Sequence, residues 1–360
     1  MKIAYYPYSN KTNRYIEISQ RILKQCGCEI VPFDGLYKKN RHTIKQFDAV
    51  FLNWYDSVYG DCSILKIVRQ IAKRKIKLII LKACGLKIVF TFHNRLPHNT
   101  GGKKKTKIFK NYLKWICKQS DYIILLSRQS KEYLKDYLTQ HEIEKKTRYI
   151  PHPNYIGVYS PEIDENWYPQ GNTFRVLFVG QVSRYKNINL ILEMAEKLQD
   201  KDIIFHIVGM CKEEAYKKEI VQRAEGLSNV ELDLHFVKDE ELEQLLRQYH
   251  ILLLPYDTRS SMNSGTVMLA FSNGRTVVCP EICTIQDFDM NDIYCYQYET
   301  EDDHREKMLQ CVEEAYTDWI TKRPDFEAKG SRLLQAVKEN NSPEKLAVYY
   351  RSLLEEISRE

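Results

Sequence analysis

The sequence predicts an α/β protein made of two consecutive doubly wound parallel-sheet domains. Three observations carry that expectation. Short apolar runs alternate with stretches of helical periodicity in both halves of the chain. The length, 360 residues, suits two domains at about 150 residues each. Between the halves lies a Pro-broken crossing, Pro151-His152-Pro153, and residues 157–173 after it lack periodicity. The expected domains are therefore 1–160 and 170–340, both Rossmann-like, with a terminal helix over 343–360.

In the first half, residues 2–6 (KIAYY) read as a strand, and a polar loop with Asn10 and Asn13 follows. Tyr15, Ile18, Ile22 and Leu23 then mark a helix ending near Gly27. Residues 28–33 and 48–54 read as the second and third strands. Residues 86–92 (LKIVFTF) form the next one and run straight into His93-Asn94-Arg95-Leu96-Pro97-His98. Ligands gather at the carboxyl ends of strands in open α/β sheets. His93 and His98 are therefore candidate general bases. Residues 121–127 make a further strand.

The second half opens on residues 174–198, FRVLFVGQVSRYKNINLILEMAEKL. A buried strand ends at Gly180, a loop carries Arg184 and Lys186, and a helix begins at Ile188. Amides and the positive helix end meet two cations there, which suits a diphosphate. Strands follow over 203–208, ending at Gly209, and over 230–234. A helix spans 240–248, and a strand over 251–254 is stopped by Pro255-Tyr256. Ser264, Gly265 and Thr266 then precede a helix over 267–271, a second helix start suited to an anion. A strand covers 276–278, and helices are expected from there to the end, the last capped by Ser342 with Pro343 in its first turn.

Composition narrows the function. The net charge is +6, unevenly spread. Residues 61–120 hold sixteen Lys and Arg and one acid, about +15, against about −9 elsewhere. Such a field implies an anionic partner surface, nucleic acid or an acidic leaflet. Residues 64–83 pair an apolar stripe, Ile64, Ile67, Val68, Ile71 and Ala72, with a basic side. This pattern suits a helix in a membrane interface, or equally a core helix with a solvated face. The second lysine cluster, 103–118, is interleaved with aromatics and favours the membrane. No nucleic-acid module accompanies the charge. No signal-peptide core or membrane-spanning run is present. Ten scattered cysteines suggest a reducing compartment without disulfides.

Taken in order, FVGQVSRYKN (178–187), HIVGM (206–210), FVKDEELEQLL (236–246), ILLLPY (251–256) and SGTVMLAFSNGRTVV (264–278) resemble the GT-B glycosyltransferases. In the first half, TFHNRLPHN (91–99) and IPHPNY (150–155) are similar to members that assemble bacterial exopolysaccharides and surface glycans. The resemblance implies two Rossmann-like domains facing across a cleft, the last helix returning to the first. It implies that Arg184, Lys186, Ser264, Gly265 and Thr266 contact the donor diphosphate. Phe236, Val237, Gly209 and Glu281 would border the base and ribose. Asn10, Asn13 and Asn94 would lie on the acceptor side. His93, or else His98, would be the base. Many retaining members carry two glutamates eight residues apart, and here Ser261 and Leu269 stand at those places. An inverting, metal-independent transfer is therefore expected, with a nucleotide-diphosphate sugar as donor and no cofactor. The Asp287-Phe288-Asp289 triplet is taken as a chance match to a metal motif. The acceptor would be a glycan, free or on a polyprenyl diphosphate. The protein would be cytoplasmic, held through 61–120 to the inner face of the plasma membrane. The alternative is a catalytically silent sugar-nucleotide- or glycan-binding subunit.

Overall fold

The computed structural model describes residues 1–10, 13–58, 62–96, 102–159 and 168–359. The chain forms two compact units. Unit 1 comprises residues 1–153, 259–263 and 340–360, and unit 2 comprises 154–258 and 264–339.

Unit 1 is built on six parallel strands: β1 Lys2–Tyr6, β2 Glu29–Pro32, β3 Ala49–Asn53, β4 Lys87–Phe92, β5 Tyr122–Leu125 and β6 Thr147–Tyr149. Their spatial order is β2-β1-β3-β4-β5-β6. β3 and β5 are buried at every position, as expected of strands covered on both faces. The helices are α1 Tyr15–Gln25, α2 Arg41–Ile44, α3 Ile64–Ala83, α4 Lys103–Gln119, α5 Ser130–Tyr133 and α6 Gln140–Lys146. α3 starts at Ser63, whose hydroxyl accepts from the Lys66 amide. α6 starts on a reciprocal capping box between Thr139 and Glu142.

Unit 2 repeats the architecture with β7 Phe174–Val179, β8 Ile203–Val208, β9 Val230–Asp233, β10 Ile251–Leu253, β11 Thr276–Pro280 and β12 Tyr294–Tyr296. The order is β12-β11-β10-β7-β8-β9, again all parallel. Its helices are α7 Ile188–Lys197, α8 Glu214–Ala224, α9 Asp239–Arg247, α10 Gly265–Ser272, α11 Glu301–Thr321 and α12 Arg323–Asn340. The last helix, α13 Pro343–Arg359, belongs to unit 1 and packs on α1. All ten cysteines are free. Among the described residues no helix is long and apolar enough to cross a membrane.

The strand order decides where a ligand can enter each sheet. In each sheet the chain first builds to one side and then to the other. The reversal falls between β1 and β3 in unit 1 and between β7 and β10 in unit 2. Loops leaving adjacent strands in opposite directions open a crevice at that point, where ligands of such sheets bind.

Candidate functional site

In unit 2 the loops after β7 and β10 meet at the reversal. Gly180 ends β7 with φ at +146°. A short turn over Arg184–Lys186 follows, and Asn187 takes a left-handed conformation (φ 53°) just before α7. Asparagine is among the few side-chain-bearing residues that visit this region readily. Its Nδ2 donates to the Pro255 carbonyl at 2.8 Å, tying the two loops together. The Lys186 ammonium lies 4.7 Å from the centre of the Tyr256 ring.

Tyr256 connects this cation to the start of α10. Its hydroxyl is 2.5 Å from the Ser264 Oγ. Ser264 caps α10, accepting from the Val267 amide at 3.2 Å, while its own amide donates to the Thr284 hydroxyl at 2.9 Å. Helix geometry leaves the first-turn amides of Gly265 and Thr266 without carbonyl partners inside the helix. Lys186, two helix-start amides and the hydroxyls of Ser264 and Thr266 thus share one neighbourhood. Lys186 is half-buried by exposure, yet protein surrounds its ammonium closely. Burial alone pulls its pKa down to about 8, with no carboxylate among the described residues holding it up. A cation left uncompensated in this way is a standing demand for an anion.

Arg184 is not brought to this turn. Its guanidinium reaches Glu213 at 3.2 Å and Glu219 at 2.9 Å and lies 4.5 Å over the Tyr216 ring. These acids, beside and within α8, stand far from the loop in sequence and draw it to the other side. Gly209 serves packing: a Cβ there would lie 1.6 Å from the Gly180 oxygen. Only glycine lets the ends of β7 and β8 approach so closely. Phe236 is 49% exposed and Val237 half-buried, both following β9. Glu281 follows β11, accepting from Gln297 Nε2 at 2.7 Å. β9 and β11 are four strand spacings apart, roughly 19 Å. The strands that lead into Phe236 and Glu281 are therefore not neighbours in the sheet. Asp289 is turned to cap a short turn over Met290–Asp292. Among the described residues no cluster of His, Cys, Asp and Glu is placed to hold a metal ion.

In unit 1 the carboxyl ends of β1, β3 and β4 build a different cluster. His93 follows β4 and is buried. Its ring stacks on Trp54 at 4.2 Å and meets Tyr15 edge-on at 5.1 Å. Trp54 holds a left-handed backbone (φ 49°) to place its indole there, which is strained for a bulky residue. The hydrogen bonds define the imidazole. Asn53 Nδ2 donates to the Tyr6 carbonyl at 3.3 Å, so its Oδ1 faces His93 Nε2 at 3.1 Å. Nε2 must then carry the proton, leaving the lone pair on Nδ1. Burial first, and His152 second, hold the His93 pKa well below the usual histidine range. His93 is thus a neutral imidazole in a closed setting. His152, which the sequence presents only within the Pro-broken crossing, joins it across Tyr15 at 5.2 Å. Asn263, within the five-residue segment that groups with unit 1, donates to the His93 carbonyl at 3.0 Å. Asn13 is used to start α1, its Oδ1 accepting from the Tyr15 amide at 2.9 Å. Asn10 and Asn94 are half-buried nearby in sequence. His98 lies outside the described residues.

Comparison with known proteins decides the family. Residues 30–153 match the model for Glycosyltransferase Family 4, and residues 173–316 the model for Glycosyl transferases group 1. The chain belongs to the GT-B glycosyltransferases. A GDP-mannose:glycolipid 4-beta-D-mannosyltransferase of Xanthomonas campestris pv. campestris is 22% identical to this glycosyltransferase over 242 residues. That alignment covers 66% of the chain and 62% of the relative, so the chain spans under two thirds of the curated relatives it matches. The solved structure of Anabaena HepE, in complex with UDP and glucose, superposes with a TM-score of 0.68 at 14% identity, covering 99% of this chain and 100% of that one. Sucrose-phosphate synthase from Thermosynechococcus elongatus gives 0.71 at 12% identity, covering 100% and 99%. At these identities the superpositions establish the GT-B fold of this glycosyltransferase.

Proposed function

We propose that this glycosyltransferase moves a sugar from a nucleotide-diphosphate sugar to a glycan on a polyprenyl diphosphate lipid, with inversion and without a metal. One observation carries the reading: the uncompensated, half-buried Lys186 beside the Tyr256–Ser264 cap of α10. Transfer breaks the bond between the anomeric carbon and the diphosphate, and the electron pair leaves with the diphosphate. Lys186 and the Gly265 and Thr266 amides meet that charge in unit 2. Prearranged donors of this kind lower a barrier most where charge develops. Arg184 is a secondary contact, available only by exchanging its carboxylate partners for phosphate. Phe236 and Val237 would border the base, and Glu281 the sugar side. In unit 1 the acceptor hydroxyl attacks the anomeric carbon and gives its proton to Nδ1 of His93. Asn53 holds the tautomer that makes this possible. Asn10, Asn13 and Asn94 would flank the acceptor.

The glycolipid acceptor named for the Xanthomonas relative and the UDP held by HepE support the substrate classes. The lysine-rich stretch 61–120 would hold the protein to an anionic leaflet at the inner face of the plasma membrane. A catalytically silent binding subunit is the second reading. It is favoured by Leu269, at a place where many members carry a glutamate, being buried in α10.

The test is a thermal-shift panel of UDP, GDP and CMP with their sugars. A ligand at 100 times its Kd stabilises the folded state by about 2.7 kcal/mol. One nucleotide should raise the midpoint clearly above the others. A panel without any shift defeats the enzyme and a sugar-nucleotide-binding subunit alike. Slow release of nucleoside diphosphate from the donor sugar separates them, since only the enzyme performs it.

A further inference from the structure

Helix α3 carries two apolar faces, and the fold uses one. Ile67, Ile71, Leu78 and Leu81 are buried and pin the helix to unit 1. Ile64, Leu65, Val68, Ile76 and Ile79 are exposed, Leu65 by 81%. The stripe expected from periodicity is therefore split: Ile67 and Ile71 turn inward, Ile64 and Val68 outward. At about 100° per residue the five exposed side chains, with Ala72, share roughly a third of the circumference, on an arc separate from the buried four. The stripe from Leu65 to Ile79 runs about 21 Å along the helix. Of eleven large exposed hydrophobics among the described residues, five lie on this one face. That is a patch rather than scatter, and patches of this kind mark interaction surfaces.

The surroundings say what covers it. α3 and α4 together carry fourteen Lys and Arg and no acid. Arg74 is used internally on the Ser57 carbonyl, Lys82 lies beside Asp121 at 3.5 Å, and Lys77 lies 4.6 Å from the centre of the Tyr37 ring. Lys75 lies 5.1 Å over the Trp115 ring, joining the stripe to the lysine face of α4. A second copy of the chain would bring like charges together. Nucleic acid would satisfy the lysines but leave Leu65, Ile76 and Ile79 in water. An anionic leaflet offers phosphate and an apolar layer a few ångströms apart.

We infer that α3 lies flat in the headgroup layer of an anionic membrane, with Leu65, Val68, Ile76 and Ile79 inserted among the acyl chains. This rests on the membrane part of the proposed function and not on the transfer chemistry. The test uses the full chain and sedimentation with phosphatidylcholine vesicles, with and without phosphatidylglycerol, at low and high salt. The protein should pellet with the anionic vesicles, with a fraction that resists salt. Leu65→Ser, Ile76→Ser and Ile79→Ser combined should weaken partitioning at least tenfold and abolish the salt-resistant fraction, at an unchanged melting midpoint. Three results overturn the inference: no pelleting with anionic vesicles, equal pelleting of the triple variant, or vesicle-free self-association that the triple variant loses. The nucleotide thermal shift of the same proteins reports separately on unit 2. Vesicle binding that fails while this shift persists sinks the membrane face alone.

Discussion

The two units place their chemistry at the same topological point and furnish it in opposite ways. At the reversal in unit 1, rings close around one imidazole: Trp54, Tyr15 and His152 surround His93. At the reversal in unit 2, amides, hydroxyls and one ammonium converge with no acid among the described residues to balance them. Burial acts on both, and with the same sign, because it disfavours the charged form of any base. In unit 1 it keeps His93 deprotonated, which a proton acceptor needs. In unit 2 it depresses Lys186, which an arriving anion would reverse. On the proposed function, one doubly wound scaffold thus yields a proton acceptor and an anion receptor, according to what lines the reversal.

The largest effect expected from breaking this division lies in unit 1. His93→Gln removes the acceptor of the proton, a contribution of about 100-fold or more in turnover. The nucleotide thermal shift should stay as in the parent, because the groups proposed to hold the donor are in unit 2. Asn53→Leu should lower kcat with little change in KM for the donor, by releasing the tautomer. A His93→Gln variant that loses nucleotide binding would end the division of labour.

Lys186→Ala comes next. Removing a charge-assisted contact to phosphate should weaken nucleoside diphosphate binding by about 10- to 100-fold. Arg184→Ala should cost clearly less, since its guanidinium is already paired with Glu213 and Glu219. The parent's affinity should decline as pH rises through about 8, where the free ammonium loses its proton. Lys186→Ala should flatten that decline. Equal losses for both substitutions, measured by calorimetry, would put Arg184 back at the diphosphate.

Much of this is legible from the residues, for definite reasons. Strands buried on both faces read as continuous apolar runs, so β1, β4, β7, β8 and β10 stand out in the sequence. Ser264 and Ser342 reveal helix starts because capping is a local act. β12 leaves no such mark: its three residues, Tyr294–Tyr296, come after a polar Asn-Asp turn and offer no alternation. α8 has a weak apolar stripe, and Glu213 and Glu219 are what divert Arg184. No local pattern could show that Tyr256 and Thr284 position Ser264, or that Asn53 sets the His93 tautomer. Those contacts join residues 8 to 40 positions apart. The split of the α3 stripe is hidden for another reason. Periodicity marks an apolar face without saying whether protein or something else will cover it.

Acid stability tests the burial argument more gently. His93 and His152 in unit 1 and His250 in unit 2 all have lowered pKa values, the latter two to about 4. The unfolded chain then binds more protons than the folded one between roughly pH 6.5 and 4. The histidine contribution to stability should be flat above 6.5 and fall as pH drops through that window, by on the order of 3 kcal/mol for His152 alone. Asp56 opposes this. Burial raises its carboxyl to about 6, so the folded state takes up a proton there before the unfolded state does. Asp56→Asn should therefore steepen the acid loss in melting scans from pH 7 to 5. A loss unchanged by that substitution would mean that Asp56 does not sit in an apolar setting.

The smallest effect sharpens the comparison at a single hydroxyl. Ser264 accepts from the Val267 amide and is itself held by Tyr256 and Thr284. Ser264→Ala removes a cap, worth about 1 kcal/mol of stability. It also leaves the Tyr256 hydroxyl without its Ser264 partner, beside the first turn that is proposed to meet the diphosphate. Nucleotide affinity should fall a few-fold, less than for Lys186→Ala, because the Gly265 and Thr266 amides stay in place. Thr284→Val should reproduce the affinity loss through the Ser264 amide alone, while the Val267 cap survives. If Ser264→Ala lowers the melting midpoint but leaves nucleotide affinity untouched, the hydroxyl is only a cap. The anion receptor of unit 2 then reduces to Lys186, two amides and the Thr266 hydroxyl.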